Sequence, residues 1–192
     1  MWRAPVIVTA PAAEPLSLAD AKAHLRVDGE DEDGLIGAQI EAARAYVEAM
    51  TGVCLVERTL TLRADSWTDL AAPPVAPLTA VASITYTDAA GDEQTLSTDV
   101  YALRLEGLDP GIVLKFGQVW PAIQQGSQIE IEVTAGYGEA TDVPQAVVQA
   151  LKLVVADFYT FRESAQIGSV AGRIPTSATV DALLANYRKH LV

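Results

Sequence analysis

The chain has 192 residues, a hydrophobic fraction of 50% and a formal net charge of −12. This length fits one domain, or one domain with a sizeable insertion, and the apolar fraction is enough to build a core without disulfide or metal cross-links. The negative charge argues against a protein that reads nucleic-acid sequence, because such a protein needs a basic surface. No apolar run approaches the ~18 residues of a membrane span. Pro5 and Pro11 interrupt the start, where a signal peptide would need an apolar block.

The first part of the chain predicts an extended arm followed by two helices. Residues 1–16 contain three prolines, which remove amide donors and favour an extended arm. Ser17 is predicted to cap a short helix over residues 18–27, and a second helix is predicted over residues 33–50. The second helix has one apolar stripe in steps of four and three residues, formed by Ile36, Ile40, Ala43, Val47 and Met50.

The apolar period changes to two after the lone cysteine, Cys54, which is predicted to be a small buried residue. The clearest alternation is in residues 129–133, where three β-branched residues alternate with Glu130 and Glu132. The next apolar face is predicted to contain Ile112, Leu114 and Phe116. Successive turns between these segments predict an antiparallel sheet or a small sandwich.

A helical pattern returns after residue 135. Gly136 and Gly138 predict a bend that takes the chain out of the sheet, and Pro144 suits the first turn of a third helix that ends near residue 162. A fourth helix is predicted over residues 179–190. Its stripe of Val180, Leu183 and Leu184 is assigned to the core, whereas the last five residues could complete the core or dock on a partner.

The sequence contains no convincing set of catalytic or metal-binding residues. Residues 28–39 begin with EF-hand spacing, but Asp33 stands where glycine is needed and Gln39 where a bidentate Glu is needed. The glycines at 136 and 138 imitate a dinucleotide motif, but Thr141 occupies the third glycine position. We therefore expect no catalytic residues, no cofactor and no metal.

A different class of protein remains open as an alternative, namely a β-sandwich module with helical flanks that binds a glycan or a peptide. Such a module would stay monomeric and would carry an exposed aromatic groove, for which Trp67, Trp120 and Tyr101 are the candidates.

Three stretches together resemble a known family. They are residues 14–27 (EPLSLADAKAHLRV), residues 35–48 (LIGAQIEAARAYVE), and AGYG at 135–138 with DVP at 142–144 and the third helix. This combination resembles the head–tail connector proteins, also called adaptors or head-completion proteins, of long-tailed phages and of phage-derived gene transfer agents. The resemblance covers about half of the chain, and the β segment departs from the small, nearly all-helical members.

The resemblance implies an α+β fold in which a small bundle of four main helices, drawn from both chain ends, carries an inserted antiparallel β lobe. The expected division is residues 1–54 plus 136–192 for the helical connector core, with an N-terminal arm and a C-terminal tail, and residues 55–135 for the β-rich lobe. The lobe could enlarge the outer rim of a ring or touch capsid, fibres or tail.

The resemblance also implies a non-enzymatic adaptor that forms a ring, commonly twelve-fold in such families, under the portal protein. The ring would extend the DNA channel and join the head to a stopper or tail-completion protein, letting double-stranded DNA pass without sequence-specific binding and without a membrane. The protein would then reside at the head–tail interface of a virion or gene-transfer-agent particle, and in the host cytoplasm during assembly.

Two sets of residues are assigned to this role as hypotheses. The C-terminal end is basic and then apolar on an otherwise acidic chain, and it is expected to dock on the portal through Tyr187, Arg188, Lys189, His190, Leu191 and Val192. Acidic residues are expected to line the channel, where they would repel phosphates. The candidates are Glu30, Asp31, Glu32, Asp33 and Glu41.

Overall fold

The structure is a computed structural model, and it describes residues 1–161 and 178–189. The chain divides into two compact units. The first, which we call the β unit, contains Met1–Ala12 and Gly52–Tyr137 together with Lys189. The second, the helical unit, contains Ala13–Thr51 and Gly138–Arg188. The combination of helices from both chain ends with an antiparallel sheet confirms the predicted α+β class.

The described part of the helical unit contains four α-helices. Their bounds are α1 Leu18–Leu25, α2 Asp33–Thr51, α3 Gln145–Thr160 and α4 Ala178–Leu184. The Ser17 hydroxyl caps α1 by accepting from the backbone N–H of Asp20 at 3.1 Å, as the sequence predicts. Arg26 adopts a left-handed conformation with φ of 59° and ends α1 two residues before the predicted boundary.

The core of the helical unit is formed by the apolar stripes that the sequence predicts. On α2, the buried residues include Ile36, Ile40, Ala43 and Val47. They pack against α3, whose buried residues are Val147, Ala150, Leu151, Val154 and Val155. On α4, Val180 and Leu184 are fully buried and Leu183 is half-buried, so this helix completes the core as predicted.

The β unit has seven strands within the described residues. They are β1 Val6–Thr9, β2 Arg58–Ala64, β3 Leu78–Thr87, β4 Glu93–Thr95, β5 Tyr101–Arg104, β6 Gly111–Leu114 and β7 Ile129–Ala135. Five of them form an antiparallel sheet in the order β1-β2-β7-β3-β4, and β5 and β6 form a separate two-stranded hairpin.

The central strand β7 shows why this segment becomes a sheet with one buried face. Its apolar residues Ile129, Ile131 and Val133 are completely buried, whereas Glu130 and Glu132 are exposed on the opposite face. On that outer face, Arg63 of β2 lies opposite Glu130 and pairs with it at 2.8 Å. The alternation in the sequence is therefore the alternation between core and solvent.

The N-terminal arm is a correction to the sequence analysis. Residues 1–16 were expected to form an extended arm of the helical core, and Val6–Thr9 is extended, but as a strand that pairs with β2 in the β unit. The reason is that Pro5 and Pro11 flank the run Val-Ile-Val-Thr without entering it, and a β-branched run has a strong preference for strands.

Phe116 is a second correction. It was expected to share a strand face with Ile112 and Leu114, but β6 ends at Leu114 and Gly117 turns the chain with φ of +76°. Phe116 therefore lies outside the strand and is fully exposed.

Candidate assembly surfaces

The basic part of the C-terminal segment contacts its own chain. A 3₁₀ turn, Ala185–Tyr187, follows α4 and places Arg188 beside the preceding helix. An Arg188 guanidinium nitrogen lies 2.7 Å from a carboxylate oxygen of Asp181. Arg188 is thus already engaged within the helical unit.

Lys189 is held in the β unit. Its ammonium group donates a hydrogen bond to the backbone carbonyl of Pro73. Burial lowers the pKa of Lys189, and the nearby Asp109 carboxylate opposes that shift. Three predicted docking residues, His190, Leu191 and Val192, lie outside the described residues.

The predicted acidic cluster is divided between engaged and exposed side chains. Glu32 accepts a hydrogen bond from the Tyr159 hydroxyl of α3, and Asp33 pairs with the Lys22 ammonium at 2.5 Å. These two carboxylates connect elements of the helical unit. In contrast, Glu30, Asp31 and Glu41 are exposed to solvent.

Arg44 of α2 belongs to an ion-pair network that was not predicted from the sequence. Arg44 lies 2.7 Å from a carboxylate oxygen of Glu14 and 3.4 Å from one of Glu48. The spacing of four residues between Arg44 and Glu48 was a visible signal, whereas Glu14 is remote in sequence and its contact depends on the tertiary fold.

The aromatic residues of the rival hypothesis form a packed cluster in the β unit. Trp67 and Tyr101 are buried, and the rings of Trp67 and Trp120 are stacked with centroids 5.0 Å apart and planes within 4°. Tyr86 meets Trp67 edge-on at 5.3 Å. Burial raises the pKa of the Tyr101 hydroxyl. This packing leaves no exposed groove built from Trp67, Trp120 and Tyr101, so the glycan- or peptide-binding alternative is not favoured.

Two apolar surfaces of the β unit are exposed instead. The edge strand β1 exposes Val6, Ile7 and Val8 by 45%, 55% and 56%. The loop after β6 exposes Phe116 completely and Val119 by 79%. Large exposed apolar side chains that cluster on a protein surface are typical of sites that other proteins cover.

The described residues carry no sign of other site types. Among residues 1–161 and 178–189, no three His, Cys, Asp or Glu side chains are grouped so that they could hold a metal ion. None of the described helices combines the length and the apolar character needed to cross a membrane. Cys54 is buried, as predicted.

The chain is similar to known proteins in part of its sequence and in its fold. Residues 15–98 match the family of phage gp6-like head–tail connector proteins. The match covers α1, α2 and strands β2 to β4. It includes residues 15–27 and 35–48, which belong to two of the three stretches that carry the resemblance in sequence. This part of the chain is therefore similar to head–tail connector proteins, and together with the fold the similarity supports a structural adaptor role.

The full chain is similar to particular solved structures. One is a chain in the neck of an empty gene transfer agent (GTA) particle, computed with C6 symmetry, with a TM-score of 0.79, 28% identity, and coverage of 99% of this chain and 97% of that chain. Another is a chain in the neck of a native GTA particle, computed with C12 symmetry, with a TM-score of 0.77, 27% identity and the same coverage. A chain of the native GTA virion matches with a TM-score of 0.76 and 27% identity. No curated protein matches the chain.

Proposed function

We propose that this chain assembles into a twelve-fold ring at the neck of a phage-like particle, where it joins the portal to a stopper or tail-completion protein. The observation that carries this proposal is the end-to-end match to chains of GTA necks analysed with C6 and C12 symmetry, which covers 99% of this chain, including the β unit. A similarity of this extent supports the same kind of assembly, because the β unit and the helical unit both have counterparts there.

The ring continues the DNA channel and acts without catalysis. The net charge of −12 suits a protein that lines a conduit, because a negative wall repels phosphates and prevents DNA from adhering as it passes. Electrostatic repulsion of this kind does not depend on base sequence, so no base-reading residues are needed.

Particles produced without this chain test the proposal. We expect heads that package DNA but lose it, and that fail to join tails, with both defects reversed when the chain is supplied from a second gene copy. Nuclease-protected DNA and the fraction of tailed particles are the measurements, and cryo-electron microscopy locates the chain. Particles that retain their DNA and carry tails without this chain would contradict the proposal, as would a location away from the neck.

Docking of the C-terminal segment on the portal is a narrower part of the proposal. Removal of residues 187–192 would also remove the contacts of Arg188 and Lys189. A sharper truncation ends at Lys189 and removes only His190, Leu191 and Val192. We expect this variant to unfold at the same temperature as the full chain but to lose capture by immobilised portal, and unchanged capture would rule this segment out.

The exposed acids of the helical unit are the best candidates for the channel wall. Because Glu32 and Asp33 make internal contacts, we propose that Glu30, Asp31 and Glu41 face the DNA. Reversing all three to Lys should slow DNA ejection or leave more DNA in the particle. A double reversal of the exposed Asp92 and Glu93 in the β unit is the control, and equal effects from both sets would contradict the assignment.

A further inference from the structure

The β5–β6 hairpin has two unlike ends. The turn between the strands, residues 105–110, lies at one end, and the loop that follows Leu114 leaves from the other. Strands of four residues separate these ends by about 13 Å. An element with different surfaces at its two ends is suited to head-to-tail contacts between identical copies.

The loop end is a rigid apolar projection. Phe116 is 106% exposed, as much as an isolated residue, although the loop around it is well fixed. The backbone N–H of Lys115 donates to the Val100 carbonyl at 3.0 Å. Further along, the Trp67 indole donates to the Pro121 carbonyl at 2.8 Å. A fixed loop presents its aromatic side chain to a partner with little loss of conformational freedom.

The turn end is an open pocket of about 570 Å³. Its lining residues are Leu103, Arg104, Leu105, Glu106 and Asp109. Pockets of this volume accept ring-sized groups. The Arg104 side chain reaches back over Gly111, where an added Cβ would lie 2.9 Å from a guanidinium nitrogen. Two leucines therefore offer apolar contact beside a rim of two carboxylates and one guanidinium.

The two ends carry apolar groups beside charges of opposite sign. The projecting loop carries an apolar tip next to the exposed side chain of Lys115, whose ammonium donates to the Thr98 carbonyl at 2.8 Å, and the pocket carries apolar residues next to Glu106 and Asp109. We propose that Phe116 of one copy inserts into the Leu103–Leu105 pocket of the next copy, with Lys115 facing Glu106. This contact rests on the proposed ring. It gives the β unit a role in the contacts between neighbouring subunits.

Cysteine cross-linking in assembled particles tests this contact directly. The chain has one native cysteine, Cys54, which is buried. A chain with both Phe116→Cys and Glu106→Cys cannot close an internal disulfide, because the two ends of the hairpin are too far apart. After mild oxidation we expect a ladder of cross-linked dimers, trimers and higher species. Each single variant alone should remain monomeric.

Substitutions give an independent measurement. Phe116→Ala should reduce incorporation of the chain into necks at least about tenfold when it competes with the unmodified chain, because the buried aromatic contact is lost. Leu35→Ala, a change at an exposed apolar residue of α2 that lies outside both apolar surfaces of the β unit, is the control. Lys115→Glu and Glu106→Lys should each reduce incorporation, and the double variant should recover it, since the charge pair is restored in reverse.

The outcomes separate this inference from the proposed function. Particles that contain normal amounts of the double-cysteine chain and join tails, but give no ladder, would overturn the contact and leave the connector role intact. Dimers formed by Phe116→Cys alone would also overturn it, because they would place two Phe116 loops against each other. If necks assembled with the unmodified chain do not contain it, the proposed function itself is wrong.

Discussion

Replacement of Gly136 by alanine should be one of the most damaging single-methyl changes in this protein. Gly136 follows β7 directly and has φ of +136°, a conformation that L-residues rarely adopt. A Cβ at this position would lie 2.5 Å from the backbone nitrogen of Glu57 and 2.6 Å from the carbonyl carbon of Val56. Neither atom can move without displacing the chain that leads into β2.

The expected magnitude follows from two separate costs. A non-glycine residue in a sparsely populated backbone region costs about 1–3 kcal/mol. Forcing a methyl group against backbone adds about 1–3 kcal/mol, because the neighbouring segment must shift. The free energy of unfolding should therefore fall by about 4 kcal/mol. For a chain of this size, that corresponds to a decrease in Tm of about 8–16 °C.

Thermal and denaturant unfolding of three glycine variants separates these costs. Gly126 also has a positive φ of +84°, but an added Cβ would meet nothing within 4 Å, so Gly126→Ala measures backbone strain alone. Gly37 lies inside α2 with open space around it, and Gly37→Ala should stabilise by about 0.5–1 kcal/mol. If Gly136→Ala lowers the free energy of unfolding no more than Gly126→Ala does, the backbone of Val56 and Glu57 does not obstruct a Cβ at position 136.

Three further changes test other contacts. Trp120→Ala removes the ring stacked on Trp67 and should destabilise the β unit by about 2–3 kcal/mol, with a change in the remaining tryptophan fluorescence. Arg44→Gln leaves the half-buried Glu14 carboxylate without its cation, and denaturant unfolding should show a loss of about 1–2 kcal/mol. The pKa of Asp88 is lowered from 3.8, chiefly by the backbone N–H of Asp92. A lowered folded pKa means that this contribution is complete above the unfolded pKa and is lost as pH falls through the folded value. The protection factors of amides in the β3–β4 turn, which correct for the pH dependence of intrinsic exchange, should therefore fall below about pH 4, and Asp88→Ala should abolish that decrease.

Each of these changes has an outcome that would contradict it. An unchanged fluorescence spectrum in Trp120→Ala would mean that the two indoles are not stacked in solution. A loss of stability that is as large in Arg44→Lys as in Arg44→Gln, and that persists in high salt, would favour packing of the arginine side chain over its charge. If the protection factors of the turn amides are the same above and below the titration, the Asp88 carboxylate does not have the role assigned to it.

The sequence alone was enough for features that depend on local periodicity. The stripe of α2 and the alternation of β7 both became buried faces, because a helix or a strand with one apolar face has only one way to remove that face from water. The cap at Ser17 and the bend at Gly136 also depend on a few adjacent residues, and both were predicted correctly. The family resemblance was readable for the same reason, since it lies in contiguous helical stretches.

Long-range pairing was decided only by the tertiary structure. The sheet order places β7 between β2 and β3, and it recruits Val6–Thr9 from the far end of the chain, although nothing near those residues specifies a partner. Glu32 meets Tyr159 across 127 positions of sequence, which removes one of the predicted channel acids from the exposed set. Phe116 followed the apolar alternation of Ile112 and Leu114, but a turn one residue later reversed its environment. Local patterns specify which residues need burial, whereas the surface left exposed depends on which distant segments come together to bury them.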